Sequence, residues 1–340
     1  MNRALIVHRA GPGLTLQDRG RPGYMGFGLS PGGAADRLAL AEGAALLGQD
    51  NGLAALEMAG TGGEFEATSD LRIALTGAQM RAAIDGTRIA WHASHALPAG
   101  ARLTIGGAEM GSYGYLHVGG GFAGPERLGS RSVHVSSGLG SAVGSDTRLE
   151  IGEDTAPTEV NRLLPVEPRF EGGTVRVVPS LQTDFFDADQ IKRFETTGFT
   201  RGAHGSRMGV RLDFQGDGFH SDAGLSVLSE VVVPGDIQIT GDGAPFVLLG
   251  ECQTTGGYPR IASVLPCDLP KVVQATPGTA LRFRFVSLND AVEAERRAAA
   301  HRRGLRSALT PLVRDPHDIR NLLAYQLISG ATAGRELEET

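Results

Sequence analysis

The segment Gln253-Thr-Thr-Gly-Gly-Tyr-Pro-Arg260 sets an amide, two hydroxyls, two glycines, a phenol and a cation side by side. It cannot be a stable helix, because each glycine costs about 1 kcal/mol against alanine and the proline stops the next turn. The apolar runs at 246–249 and 261–265 read as strands. The polar segment therefore falls at a sheet end or rim, where Gln253, Thr254, Thr255 and Tyr258 can face a ligand. Gly256 and Gly257 would let that ligand approach the main chain. The alternative is a hairpin turn whose polarity is incidental.

Three other clusters join glycine to charge in apolar surroundings. One is Asp18-Arg19-Gly-Arg21 with Gly32-Gly-Ala-Ala-Asp36, and another is Leu128-Gly-Ser130-Arg131-Ser132. The third is Arg207-Met-Gly-Val-Arg211, with Ser229-Glu230 and Pro234-Gly-Asp-Ile-Gln238. A guanidinium on a glycine-flanked turn can fork onto a carboxylate or phosphate. Each cluster alone also fits a surface ion pair or a loop brace. Together, in a chain of short strands, they predict barrel rims that converge on one cleft.

Several familiar patterns fail on mechanism. Gly28-Leu-Ser30-Pro-Gly32 has the spacing of a nucleophile elbow, but Pro31 lacks the N–H an oxyanion hole needs. Gly119-Gly-Gly-Phe-Ala-Gly124 satisfies a dinucleotide fingerprint, yet no long helix follows to meet a pyrophosphate, so it reads as a tight bend. There is no Walker A sequence. His92 and His95 lie in a strand-and-turn region without a cysteine or acidic partner and are expected at the surface, so no metal site is predicted. Lys192 and Lys271 are the only lysines, and neither has the flanking methionines of a biotin carrier.

The elements that must position these residues are mostly strands. With 340 residues, 49 Gly and 17 Pro, the chain reads as β-rich and long enough for two units. A net charge of −6 without a basic block argues against nucleic acid. No apolar run approaches the about 18 residues of a membrane span, and the apolar run at the start is too short for a signal peptide. Cys252 and Cys267 are expected as free thiols in a cytoplasmic protein. A helix is predicted over 36–47, with Asp36 at its N-terminus and Gly48 closing it. Strands are expected at 5–8, 71–76, 88–92, 102–105 and 113–118. The proline-bearing stretch 154–168 is the expected linker between a first β-barrel unit, 1–153, and a second, 169–288. A helical tail, 289–340, would contain helices at 289–303 and 317–329. Leu75-Thr-Gly77 against Ile239-Thr-Gly241 hints that the two units are copies of one β design.

The order of these words resembles the allophanate hydrolase subunit 2-type, or biotin-dependent carboxyltransferase, family. That family includes the C-subunit of the ATP-dependent 5-oxoprolinase, KipA-like regulators and part of the urea carboxylase carboxyltransferase region. The likeness runs from about Gly11 to Gly330. It rests on Gln17-Asp-Arg-Gly-Arg21, Ala74-Leu-Thr-Gly77, Leu128-Gly-Ser-Arg-Ser132, Arg207-Met-Gly209, Ser229-Glu230, Pro234-Gly-Asp-Ile-Gln238 and the 253–259 segment. Departures occur where relatives read Ser-Gly-Ala-Met-Asp and this chain has Gly32-Gly-Ala-Ala-Asp36, and where Glu251-Cys replaces Asp-x before Gln253.

The resemblance implies a mainly β, cyclophilin-like β-barrel architecture, with two related barrel units and a few helices including a C-terminal one. It implies a subunit of an ATP-dependent amide- or lactam-processing enzyme, with 5-oxoproline as the first substrate. The alternatives are a carboxyltransferase module fed by biotin on a partner protein, or a non-catalytic regulatory binder. A KipI-like subunit 1 partner, and a third lactam-opening subunit, follow from the same likeness. On this reading Glu230, Glu251 and Tyr258 are the catalytic candidates. Arg207, Gln238, Gln253, Thr254, Thr255, Gly256 and Gly257 would bind substrate. Arg19, Arg21, Asp36, Ser130 and Arg131 would form a secondary cluster.

Overall fold

The computed structural model describes residues 3–224 and 227–313. Its strands form two main sheets, each around its own apolar core. The first is an 11-stranded sheet. Its main path runs Thr310–Pro311, Arg162–Leu163, Ala93–Leu97, Leu71–Ile84, Arg102–Val118, Gly63–Ala67, Ala4–Ala10 and Thr147–Glu150. Every pairing within it is antiparallel. The strands expected at 102–105 and 113–118 are halves of one 17-residue strand. It bends and continues, pairing with Gly63–Ala67 near one end and Ala55–Ala59 near the other.

The second sheet closes into a seven-stranded barrel. Around it run Gly173–Val178, Arg260–Val264, Asp236–Ile239, Pro245–Leu248, Gly209–Asp213, Phe199–Ser206 and Ala280–Phe285. Closure comes from the parallel pairing of Gly173–Val178 with Ala280–Phe285. Val175 and Val177 alternate inward on the first of these strands, as period-two patterning requires. Phe194, Phe199, Phe219 and Phe283 fill one end, with the Phe194 and Phe283 rings stacked 5.2 Å apart. Such contacts add about 0.5–1.5 kcal/mol per pair beyond the area they bury.

Four α-helices occur among the described residues: α1 (Arg37–Leu47), α2 (Ala188–Thr196), α3 (Leu269–Gln274) and α4 (Leu288–Gly304). Helix α1 begins and ends as predicted. The Asp36 carboxylate accepts from the Leu38 and Ala39 N–H groups, and Gly48 closes the last turn at φ +62°. Helix α2 was not legible in the pattern: only Gln190 and Phe194 of its nine residues are buried. The helix expected over 317–329 lies outside the described residues. Arg162–Leu163, within the stretch read as a linker, is a strand of the first sheet.

The histidine expectation is corrected. His95 is buried on the strand Ala93–Leu97 and hydrogen-bonds the Ala90 carbonyl at 2.8 Å. The ring of His92 packs 6.0 Å from that of Phe170, and burial pushes its pKa down to about 4. No group of metal-ligating side chains occurs among the described residues. The strand expected at 88–92 stops at Arg88, because Trp91 and His92 belong to a turn where His92 takes φ +54°.

A third histidine ties α1 to the sheet. His117 is buried against Gly43 of α1, where an added Cβ would fall 2.2 Å from its ring. The Thr76 hydroxyl donates to the Ala39 carbonyl and accepts from His117 Nε2, 2.8 Å away. This arrangement places a proton on Nε2, and burial, which disfavours a second proton on the ring, lowers the His117 pKa to about 3. Between about pH 6.5 and about 3 the unfolded chain therefore binds a proton that the folded chain does not. Stability contributed by the neutral ring is complete above about pH 6.5 and drains away with acid, at up to about 1.4 kcal/mol per pH unit. Replacing His117 by Gln should flatten the fall in unfolding free energy between about pH 7 and about pH 4.5, as measured by urea melts at each pH. An unchanged slope would show that the ring is already protonated in the fold.

Candidate active site and its setting

Two arginines organise the polar interior, and they do different work. Arg207 stands in the tight turn between Phe199–Ser206 and Gly209–Asp213, where the barrel meets the first sheet. Its Nε donates to Glu251 at 2.5 Å, and its two terminal nitrogens reach Glu57 and the Gly33 carbonyl. Glu57 also accepts from the Tyr115 hydroxyl at 2.7 Å and the Ala35 N–H at 2.8 Å. Burial opposes the charge on Arg207, but Glu57 and Glu251 more than offset it and raise its pKa. All three nitrogens are thus committed within the protein. Glu251 is buried too, with His134 Nδ1 3.8 Å from its second oxygen. His134 in turn lies 3.0 Å from the Ser30 hydroxyl. Ser30 and His134 are both buried, so this chain of groups braces the junction.

Arg260 anchors the second node, at the end of the 253–260 segment. Here Thr255–Gly256 pairs with Glu230–Val231 as a short two-stranded sheet, with Glu230 opposite Gly256. The Glu230 carboxylate, half exposed, accepts from Arg260 at 2.6 Å and from the Gln182 amide at 2.9 Å. Arg260 itself is buried and also donates to the Val231 carbonyl at 2.8 Å and to Asp236 at 3.4 Å. Glu230 is thereby fixed beside a permanent cation, with its exposed side toward solvent.

The segment also leaves polar groups unspent. The Thr254, Thr255 and Tyr258 hydroxyls make no hydrogen bond among the described residues, and Tyr258 is 43% exposed. Beneath Gly256, the Gln238 side chain is buried; its oxygen accepts from Gln253 at 3.4 Å, while its nitrogen has no partner among the described residues. A Cβ on residue 256 would fall 2.5 Å from that nitrogen, so any side chain there would have to displace the amide. A buried unpaired amide donor costs about 1–3 kcal/mol, a cost that a ligand carbonyl would remove.

The candidates named from sequence thus divide. Glu230, Gln238, Gln253, Thr254, Thr255, Gly256, Gly257 and Tyr258 gather at the two-stranded sheet. Arg207 and Glu251 face inward at the junction instead, sharing no hydrogen-bond partner with Glu230 among the described residues. In the secondary cluster, Asp18 accepts from Ser130, Ser132 and the N–H groups of Gly20 and Arg131. Arg21 is buried and spans to the carbonyls of Arg127 and Ser132. Arg131 pairs with Glu126 at 2.6 Å, and Asp36 caps α1. Arg19 projects into a cleft between the two sheets. Sequence reasoning did not select Arg260, Gln182 or Glu57. Arg260 closes the very segment singled out, and its charge beside Glu230 was the available signal.

The profile of the carboxyltransferase domain, subdomain A and B, matches residues 27–285. The chain belongs to that family. It is 31% identical to a 5-oxoprolinase C-subunit of Haemophilus influenzae, over 83% of this chain and 91% of that one. It is 32% identical to a 5-oxoprolinase C-subunit of Escherichia coli, over 85% and 94%. The Saccharomyces cerevisiae urea amidolyase matches at 26% identity over 82% of this chain but only 16% of its own length. Among solved structures, TTHA0988 superposes with a TM-score of 0.76 at 29% identity, over 83% of this chain. The match spans 56% of TTHA0988, so this chain corresponds to little more than half of that protein. The K. lactis urea amidolyase superposes at 0.79 over 92% of this chain and 21% of that one, at 22% identity, which establishes the shared fold.

The two nodes predict opposite responses. Arg207→Met leaves two buried carboxylates without a cation and should cost about 3–5 kcal/mol in urea unfolding. Glu230→Gln, at a half-exposed position, should cost less than about 1 kcal/mol. Equal losses would mean that the junction is not where the charge is needed.

Proposed function

We propose that the chain is a subunit of a 5-oxoprolinase-type enzyme, acting with partner subunits to open 5-oxoproline to glutamate at the expense of ATP. The observation that carries this reading is the unpartnered Gln238 nitrogen under Gly256, facing the same short sheet as Glu230 and the free hydroxyls of Thr254, Thr255 and Tyr258. A lactam offers one carbonyl acceptor and one N–H donor. In this reading the Gln238 amide and the Gly256–Gly257 main chain take the carbonyl oxygen as it gains charge. Glu230, held beside Arg260, accepts the lactam N–H and manages the proton. The two 5-oxoprolinase relatives, matched over nearly their whole lengths, support the assignment of substrate.

The site does not fit a triphosphate. Arg260, the arginine that closes the segment, is already paired with Glu230 and Asp236. Biotin, if used, would arrive on another protein. A partner subunit of the KipI-like type would cover the surface around the site, where Leu181, Leu228, Val231 and Val233 are exposed along with Tyr258. Apolar side chains exposed in this number favour protein contact.

A second reading is favoured by the family profile and the urea amidolyase match. The same amide donor and carboxylate could hold a ureido group while a carboxyl group is transferred. Mixing the chain with its partner subunits, ATP and 5-oxoproline and measuring glutamate separates the two. Gly256→Ala, which drives a methyl into the Gln238 amide, should lower kcat/KM at least about tenfold, and Tyr258→Phe should weaken substrate binding. Unaltered glutamate release in both variants would remove the site from the reaction. Carboxybiotin-dependent transfer without glutamate would favour the second reading.

A further inference from the structure

Between the first sheet and the barrel lies a cleft of about 1100 Å³. One wall is the start of α1 with the Arg19 turn, and the other is formed by α4 and the 266–271 segment. Arg169 forms part of its floor, bound to Asp36 at 2.8 Å and to Glu42 by two bonds of 2.8 and 2.7 Å. Seven arginine and lysine side chains line the space against four carboxylates, in a chain whose net charge is −6.

Those carboxylates are engaged. Asp18 accepts four donors of its own loops, and Asp268 pairs with Arg176 and Lys271. Glu295 accepts the Cys267 N–H, and Glu167 lies 3.8 Å from His301. Arg19, Arg37 and Arg302 are left without a carboxylate among the described residues. The C-terminal turn of α4 accounts for a cation at Arg302, because it carries the negative end of the helix dipole. It does not account for Arg19 and Arg37, which feel one another's charge. Both are exposed to the space of the cleft, and the Arg37 side chain also donates to the Gly32 carbonyl at 3.4 Å. Leu38, Leu40, Pro31 and Pro270 supply apolar wall between the charges.

We infer that this cleft binds a phosphorylated small organic molecule, with Arg19, Arg37 and Arg302 on its phosphate groups and the leucine and proline wall against its body. Planar guanidinium forks match phosphate oxygens in pairs, and the volume suits a ligand of nucleotide size. The site shares no residue with the 253–260 segment, so variants of its arginines leave the groups there untouched.

The test is calorimetric titration of the full chain with pyrophosphate, ADP and citrate at low and high salt. ADP and pyrophosphate should bind with affinity that falls as salt rises, and ADP should bind more tightly. The triple variant Arg19→Gln, Arg37→Gln, Arg302→Gln should weaken both at least tenfold. Arg282→Gln with Arg284→Gln, exposed on the barrel strand, should leave them unchanged. Should the triple variant melt early, the single Arg37→Gln variant serves, with hydrogen exchange of α4 read with and without ADP. Protection of α4 by ADP in the wild type, reduced in that variant, upholds the site. Absence of binding, binding of citrate alone, or equal weakening by the barrel variant overturns it.

Discussion

A guanidinium removed from water must be given carboxylates, and the junction of this protein is built around that demand. Arg169 and Arg207 both sit where the first sheet meets the barrel, and each takes carboxylates that lie far from it in sequence. Arg169 reaches back to the first turns of α1, and Arg207 joins Glu57 of the first sheet to Glu251 of the barrel side. Gln274 completes the lock by donating to Asp36 and accepting from the Ser112 and Tyr113 N–H groups. Neutralising a buried charge needs geometry held from several sides, which makes the relative placement of the two units specific.

That lock determines what the rest can do. With the junction fixed, the barrel can present the short Glu230–Val231 and Thr255–Gly256 pair outward without depending on it for stability. The interior of the barrel is aromatic and aliphatic, so its polar groups are pushed to rims and turns. There a buried amide can remain unpaired beneath a glycine, an arrangement that a packed core would not tolerate. The stabilising arginines of the junction and the candidate catalytic groups at the rim are therefore separate in role.

Much of the fold was legible because local rules and tertiary needs agree. Helix α1 carries its cap, its apolar face and its closing glycine within one short stretch, from Asp36 to Gly48. The barrel strands at Pro245–Leu248 and Arg260–Val264 were visible as apolar runs around a polar segment. The short α2 was not, since its one large buried residue, Phe194, gives no periodic stripe. His95 was misplaced for a related reason. A histidine on a strand reads as polar, while its burial here depends on the Ala90 carbonyl, which only the turn brings near.

By itself, the sequence determined the β-rich class, the first helix, the family, and the segment with donors to spare. Those follow from residue types and short spacings, which act over a few bonds. Only the tertiary structure decided that Arg207 and Glu251 turn inward while Glu230 stays at the rim beside Arg260. It alone brought Arg19 and Arg37 to one wall of a cleft and Arg302 to the other. Charge pairing between residues far apart in the chain depends on which surfaces are desolvated together, and no local pattern carries that information.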